Sequence, residues 1–373
     1  MVQLYDYLTH AKEKQAIPSV TAYNRIDGPG SSLDLRDFQQ TFWKLPNMTL
    51  MDDPSCKWSF ELPRTVGITI DTGTKIEAFP YDPEMICVKS TEYNKEVSGR
   101  LGEIIPIKDN WLLKILEIFN LQGVKLVLTN LREGIHSSGL GGSSTATIGV
   151  CILANELADR PFNQLQLVSI ASRIEQDMGV SITGTQEQSN VMFGGVTDYV
   201  WFPWGIPGQQ NSGYGGSLRF ELMKEENYPH LQDRIAIFHS GHPRDSSNVN
   251  TLWEEALKTR KGYGLHSKKL AVAYKFREGL RLENWIQVQE SIEEYRSIRA
   301  DLCADYMNGS TDIWHEAEDH NSVVFPLGAG GGGAVFIFSH DIDSLADLKD
   351  DIRGNFTEIP SKIRSKGHEI LNL

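Results

Sequence analysis

The run Ser138-Gly139-Leu140-Gly141-Gly142-Ser143-Ser144 is small and glycine-rich, so its backbone can turn tightly and approach a ligand closely. Behind it Ala146, Val150, Leu153, Ala154 and Leu157 recur at helical spacing, an apolar face one side wide. A helix is therefore predicted to start at the end of the run, with Ser143 or Ser144 as its N-cap. A glycine-rich loop feeding a helix N-terminus presents free N–H groups and the positive end of the helix dipole, which suits a phosphate. The plainer reading is a capped turn with no ligand. A Walker loop is excluded, because no Gly-Lys-Ser/Thr follows. A dinucleotide fingerprint fails as well. Its third glycine would fall at Ser144, and the acidic residue about 20 positions on is Asp159, at the end of the same helix.

Other chemistry-bearing residues are sparse. His239 and His242 form H-x-x-H, but no further ligands stand at metal spacing, so no metal site is read there. Glu175, taken alone, is a solvated helix residue. Cys56, Cys87, Cys151 and Cys303 are scattered without a C-x-x-C and read as reduced thiols of a cytosolic chain. A net charge of −13 argues against a nucleic-acid partner or an anionic membrane surface. It does not argue against ATP, which backbone dipoles and a divalent cation can hold. The start, MVQLYDYLTHAKEK, lacks the apolar core of a signal peptide, and no stretch is long and apolar enough to span a bilayer, so a cytoplasmic location is expected. With 373 residues, 40% hydrophobic and 23% charged, the chain can fill two sizeable lobes around one or two cores.

The elements that must position the run follow from periodicity. A short helix is predicted over residues 1–15, and residues 19–35 run from a strand into a Gly/Pro/Ser loop. Thr65–Phe79 alternates Val66, Ile68 and Ile70 on one face and continues through Ile76 and Phe79, as a strand pair or one bent strand. A helix is predicted over Asn110–Asn120, a strand over Val124–Leu131, and an amphipathic helix over Phe162–Met178. The aromatic run Tyr199–Trp204 reads as core or lobe junction rather than a base-stacking site. Residues 206–220, rich in Gly, Ser and Gln, are predicted as an inter-lobe linker or mobile loop. A strand over Arg234–Phe238 and two long helices, over residues 248–280 and 282–307, follow. Gly328–Gly333 reads as a hinge before a strand over Ala334–Ser339.

Several stretches, in order along nearly the whole chain, resemble the motifs of the GHMP kinases (galactokinase, homoserine kinase, mevalonate kinase, phosphomevalonate kinase). HSSGLGGSSTA is similar to their phosphate loop, P-x-x-x-G-L-G-S-S-A, with the leading Pro absent and Gly142 where the first Ser usually stands. Arg25, Ile26, Gly30 and Asp34 fall in register with the N-terminal substrate motif, R-I/V-x-x-x-G-x-x-x-D. Gly184–Val196, GTQEQSNVMFGGV, resembles a segment of sugar kinases close to the heptose 7-phosphate kinases. Gln186, Gln188, Phe193, Gly194 and Gly195 match there, and Glu187 replaces the family aspartate. Ser240–Val249 resembles T-G-x-x-R-x-S-S, with Arg244 as its arginine. Gly328–Gly333 resembles the third motif, G-A-G-G-G-G, with Phe325 where the family often has Lys. The tail IPSKIRSKGHEIL resembles the family's last strand.

The resemblance implies an α+β, two-lobe fold. A ribosomal S5 domain 2-like lobe would run over residues 1–205 and a ferredoxin-like lobe over residues 206–373. It implies ATP and Mg²⁺ as cofactors. Ser138, Gly139, Leu140, Gly141, Gly142, Ser143 and Ser144 would hold the ATP phosphates, and Ser143, Ser144 and Glu175 take the places of Mg²⁺ ligands. Glu187 and Arg25 would be the catalytic pair, and Asp34, Gly194, Gly195, Arg244, Gly330 and Gly331 would contact the acceptor. The implied activity is ATP-dependent phosphorylation of a hydroxyl on a sugar or sugar phosphate. Two alternatives stay open. One is a non-sugar acceptor such as mevalonate or homoserine. The other is a weak or non-enzymatic ligand-binding protein, because Glu187 adds a methylene and a displacement of about 1 Å can cost ~100-fold in rate. The expected partners are a nucleotide and a small molecule, with no nucleic acid and no membrane; a homodimer is left open.

Overall fold

The computed structural model describes residues 2–42, 62–132, 138–202, 216–242, 249–307, 310–328 and 330–373. Helix α1 (Val2–Glu13) leads into β1 (Ser19–Asp27) and α2 (Arg36–Phe42). β2 (Arg64–Pro80), β3 (Ile86–Ser90) and β4 (Lys95–Gly99) precede α3 (Trp111–Ile118) and β5 (Val124–Asn130). Then come α4 (Gly142–Leu157), α5 (Gln164–Asp177), α6 (Gln186–Phe193), β6 (Val196–Phe202) and β7 (Gly216–Glu221). α7 (Tyr228–Gln232) and β8 (Ile235–His239) are followed by α8 (Val249–Leu257), α9 (Arg260–Arg281), α10 (Trp285–Leu302) and α11 (Thr311–Asp319). The chain closes with β9 (Val323–Pro326), β10 (Ala334–Phe338), α12 (Ile342–Ile352), β11 (Thr357–Glu358) and β12 (His368–Leu371).

These elements form two layers of sheet. The first runs β12-β1-β2-β5-β3-β4, with β6 and β7 added beside β2. Only β3 and β5 pair in parallel among its described strands; its other pairings are antiparallel. The Thr65–Phe79 segment is one strand, β2, and its register against β1 shifts between Tyr23 and Arg25. Such a bulge bends a strand and re-aims side chains. The second sheet runs β11-β8-β10-β9, all antiparallel. Its strands alternate faces, as a two-residue repeat requires. Ile235, Ile237, Phe336 and Phe338 face α9 and α10, while Ala236, Phe238, Val335 and Ile337 face α11 and α12.

One core joins the sheets. Ile26, Val66, Ile68 and Ile70 of the first share a core with Phe276 of α9, Ile292 of α10 and Phe336 of the second. Each such fully buried side chain contributes roughly 1.5–3 kcal/mol. α4 departs from the one-sided face expected of it. Every residue from Ser144 to Asn155 is buried, because the helix is wrapped by β1 and β2 and by α3, α5 and α6.

Two predicted elements differ. The predicted helix over residues 248–280 is broken at Thr259, whose hydroxyl accepts from Gly262 N at 3.0 Å and caps α9. Residues 216–221, predicted within a linker, are strand β7, paired with β6 from Thr197↔Glu221 to Phe202↔Gly216. The glycines and serines of the window hid the strand-forming Leu218 and Phe220. β12 likewise returns to pair with β1, so two strands beyond residue 205 complete the first sheet. The aromatic run's Tyr199 and Trp201 are buried, and Trp201 Nε1 donates to Thr65 Oγ1 at 3.1 Å.

Candidate active site

β1 brings Arg25 and Asp27 to one place, because side chains two apart on a strand share a face. Both are buried, and Arg25 Nη1 donates to Asp27 Oδ1 at 3.3 Å. Arg25 Nη2 donates to Glu187 Oε1, from the first turn of α6. Burial opposes the guanidinium charge, but Asp27 and Glu187 outweigh it and hold the Arg25 pKa above its ordinary range. Asp34 follows the turn at Gly30–Leu33, and its carboxylate accepts from Gln186 N at 3.0 Å. Gly184 leaves the room for it; a Cβ there would collide with that carboxylate. Burial, and then the charge of Glu187, push the Asp34 carboxyl up to about 7.

The glycine-rich run enters α4 through Gly141, the N-cap, at φ +82°. Neither Ser143 nor Ser144 caps the helix, which corrects the expectation above. Ser144 instead turns inward and donates to Glu175 Oε2 at 2.7 Å; Thr147 Oγ1 donates to Glu175 Oε1 at 2.9 Å and Gln188 Nε2 to Oε2 at 2.9 Å. Glu175 is completely buried, and burial pushes its carboxyl up to about 7 despite those donors. Leu140 anchors the loop by burying its side chain in the shared core beside Ile26. Ser138 O accepts from Ala334 N at 2.6 Å, which fastens the third glycine stretch onto the loop. Gly328 N in turn donates to Asp27 Oδ1 at 3.2 Å.

Two cavities meet at the loop. The first, about 190 Å³, is lined by Arg25, Asp34, Glu187, Ser31, Ser32 and Trp253 among others. The second, about 420 Å³, is lined by Asn24, Tyr93, Lys108, Trp111, Asn130 and Arg132 among others. Gly139, Gly141, Ser143 and Val180 line both. A group lying on the loop therefore faces the larger cavity on one side and the Arg25–Glu187 pair on the other.

Residues 110–195 match the model of the GHMP kinases N terminal domain. Solved structures extend the likeness to the whole chain. It is similar to the galactokinase of Lactococcus lactis (15% identity, 98% of this chain and 99% of the other, TM-score 0.64). It is similar to a D-glycero-D-manno-heptose 1-phosphate kinase from Bacteriodes thetaiotaomicron (13%, 95% and 98%, TM-score 0.65). It is also similar to the mevalonate kinase of Methanococcus jannaschii (13%, 93% and 98%, TM-score 0.64).

The chain has the GHMP kinase fold. A search by sequence among curated proteins returns no match.

On this GHMP kinase fold the expected residues separate into groups. Arg25, Asp34, Glu187, Gly139, Gly141, Ser143 and Ser144 line the smaller cavity, and Ser138 and Gly142 the larger. Glu175 stands behind Ser144. Leu140 lines neither cavity; its side chain is a core anchor. Gly194 and Gly195, expected at the acceptor, turn the chain against the C-terminal segment instead. A Cβ on Gly194 would collide with Gly367 N, and Gly195 N donates to Arg364 O at 3.1 Å. Gly330 and Gly331 also line neither cavity, because Gly330 packs on the Tyr306 ring and Gly331 N donates to Tyr306 O at 3.0 Å. Among the described residues of that stretch, Gly328 lines the smaller cavity. Arg244 and Cys56 lie outside the described residues. Asp27 was missed, although its two-residue spacing from Arg25 on a strand was the available signal. No helix among the described residues is long and apolar enough to cross a membrane.

Proposed function

We propose that the protein transfers the γ-phosphoryl group of ATP to a hydroxyl of a small acceptor, with a sugar or sugar phosphate as the acceptor class. One observation carries this reading: the Gly139–Ser144 loop separates a larger cavity from a smaller one that holds Arg25, Glu187 and Asp34. Phosphoryl transfer asks the protein for positioning and charge neutralisation more than covalent chemistry. The nucleotide occupies the larger cavity with its phosphates on the loop, where N–H groups and the α4 dipole favour negative charge. Trp111, fixed by its Nε1 donating to Thr147 Oγ1 at 3.0 Å, offers an aromatic wall.

The donor set fits Mg²⁺. Ser144 and Glu175 are adjacent oxygen donors, Ser143 is exposed beside them, and Mg²⁺ takes its remaining ligands from phosphates and water. The buried Glu175 carboxylate has no cationic partner among the described ion pairs, a charge that a bound cation would balance. When bound, Mg²⁺ neutralises the phosphate oxygens. Arg25, held between Asp27 and Glu187, places fixed positive charge where the phosphoryl group crosses. Glu187, whose side chain keeps 22% of its surface exposed, can accept a hydrogen bond from the acceptor hydroxyl. Asp34 faces the same cavity and can take a second hydroxyl, which favours a polyol.

The mevalonate kinase likeness, with a TM-score equal to that of the galactokinase, keeps a non-sugar alcohol as the second reading. An ATP-consumption screen over hexoses, heptoses, their phosphates, mevalonate and homoserine tests both. Consumption with a sugar or sugar phosphate supports the first reading, and consumption with mevalonate or homoserine alone supports the second. ATP binding without turnover on any of them contradicts the kinase reading in favour of a binding protein.

A further inference from the structure

Behind one wall of the smaller cavity lie two buried basic side chains that the phosphoryl-transfer roles leave unused. Lys269 and Arg299 have no exposed surface. Neither has a carboxylate partner among the described residues. Lys269 Nζ donates to Ser32 Oγ at 2.8 Å. Arg299 Nη1 donates to Ser31 Oγ at 3.0 Å and Nη2 to Gly328 O at 2.8 Å. Ser31, Ser32 and Gly328 all line the cavity, so each cation reaches it through one intervening group. Trp253 also lines it, with Arg299 Cζ 3.6 Å and Lys269 Nζ 4.8 Å from its ring centroid. The Trp253 indole N–H is buried and has no acceptor among the described residues.

Burying a cation without a counter-charge is costly. Burial, together with Arg299, pushes the Lys269 amine well below its ordinary range. Asp34, a carboxyl lining the same cavity, counters this only in part, and one of its oxygens accepts from Gln186 N. Asp27 is committed to Arg25 and Gly328 N. The wall also holds Ser32 at φ +73°, a left-handed conformation that non-glycine residues seldom adopt, with its hydroxyl on Lys269. What this wall lacks is an anion.

We propose that the Ser31–Ser32–Trp253 end of the cavity is a subsite for an anionic group on the acceptor, a phosphate monoester or a carboxylate. It rests on the acceptor reading above and adds the acceptor's charge to it. The reacting hydroxyl lies at the Glu187–Asp34 end, and the anion at the other end accepts from the two serine hydroxyls and the Trp253 indole. Lys269 and Arg299 supply the charge from behind.

The test uses the full chain saturated with ADP, so that the phosphate loop is occupied. Inorganic phosphate and acetate are titrated separately, read by calorimetry and by protection against thermal unfolding. Wild type is expected to bind at least one of them, and which one distinguishes the two anion chemistries. Lys269→Gln should weaken that binding by ~10-fold or more, Lys269→Arg should retain it, and ADP affinity should stay unchanged in both. If Lys269→Gln does not fold, Ser32→Ala takes its place and should weaken binding in the same direction. No binding to wild type, or binding unchanged by the substitution that folds, overturns the subsite. Failure of the kinase reading shows separately, as absent ADP binding or absent turnover with anion binding intact.

Discussion

Gly141 and Glu187 share one space: the Cβ that Gly141 lacks would stand 3.1 Å from Glu187 Cγ and 3.8 Å from the Arg25 guanidinium carbon. Gly141 therefore shapes the smaller cavity, with its Arg25–Glu187 pair, as well as the larger one. Its φ of +82° adds a backbone reason for glycine.

Gly141→Val should lose ATP binding by calorimetry while far-UV circular dichroism stays native, since the strain is confined to the loop. It should also displace the Arg25–Glu187 pair. Unchanged ATP affinity would make the loop a turn without a ligand.

How much of this was legible beforehand differs from residue to residue. Gly139, Gly141 and Ser144 stand out in a glycine-rich run ahead of a helix, whereas Arg25, Asp34 and Glu187 are reached only through their register with the family motifs. Glu175 looked like a solvated helix residue, and its burial depends on α5 packing against α4, which no local pattern states. Lys269 and Arg299 sit on long helices rich in charge, where single buried cations look like surface residues. Gly194 and Gly195 were expected at the acceptor, but their partners are residues 364–367, more than a hundred positions away. The β7 strand was hidden by a glycine-rich window, because its pairing with β6 overrides local propensity.

The buried Glu175 carboxyl gives a pH signature. Its folded pKa, about 7, lies above the ordinary 4.5, so the folded state holds this proton more tightly than the unfolded chain does. Its contribution to stability is therefore fully present below pH 4.5 and lost as pH rises to 7. Glu175→Gln removes this dependence. At pH 8, without nucleotide, the variant should be more stable than wild type by on the order of 3 kcal/mol in denaturant melts. It should also bind Mg²⁺-ATP more weakly. Parallel pH profiles for the two proteins would show that Glu175 is not a buried, uncompensated charge.

Asp34→Asn should leave ATP affinity unchanged and raise the KM for the acceptor. A hydrogen bond to a charged group is worth about 1.5–3 kcal/mol, so the rise should be ~10-fold or more. Steady-state kinetics with the acceptor varied at saturating ATP checks this. An unchanged KM would place the acceptor hydroxyls elsewhere in the cavity.

In the proposed reaction Glu187, paired with Arg25, faces the acceptor hydroxyl during phosphoryl transfer. Glu187→Asp asks what the extra methylene does: a gain in turnover would mean that the native Glu has detuned the site and would favour the binding-protein reading. Glu187→Gln is the most direct test, because it keeps size and removes charge. With the best acceptor from the screen, ATP affinity by calorimetry should be unchanged and turnover lowered by ~100-fold or more, the usual worth of a positioned base. Turnover equal to wild type on that same acceptor would contradict it.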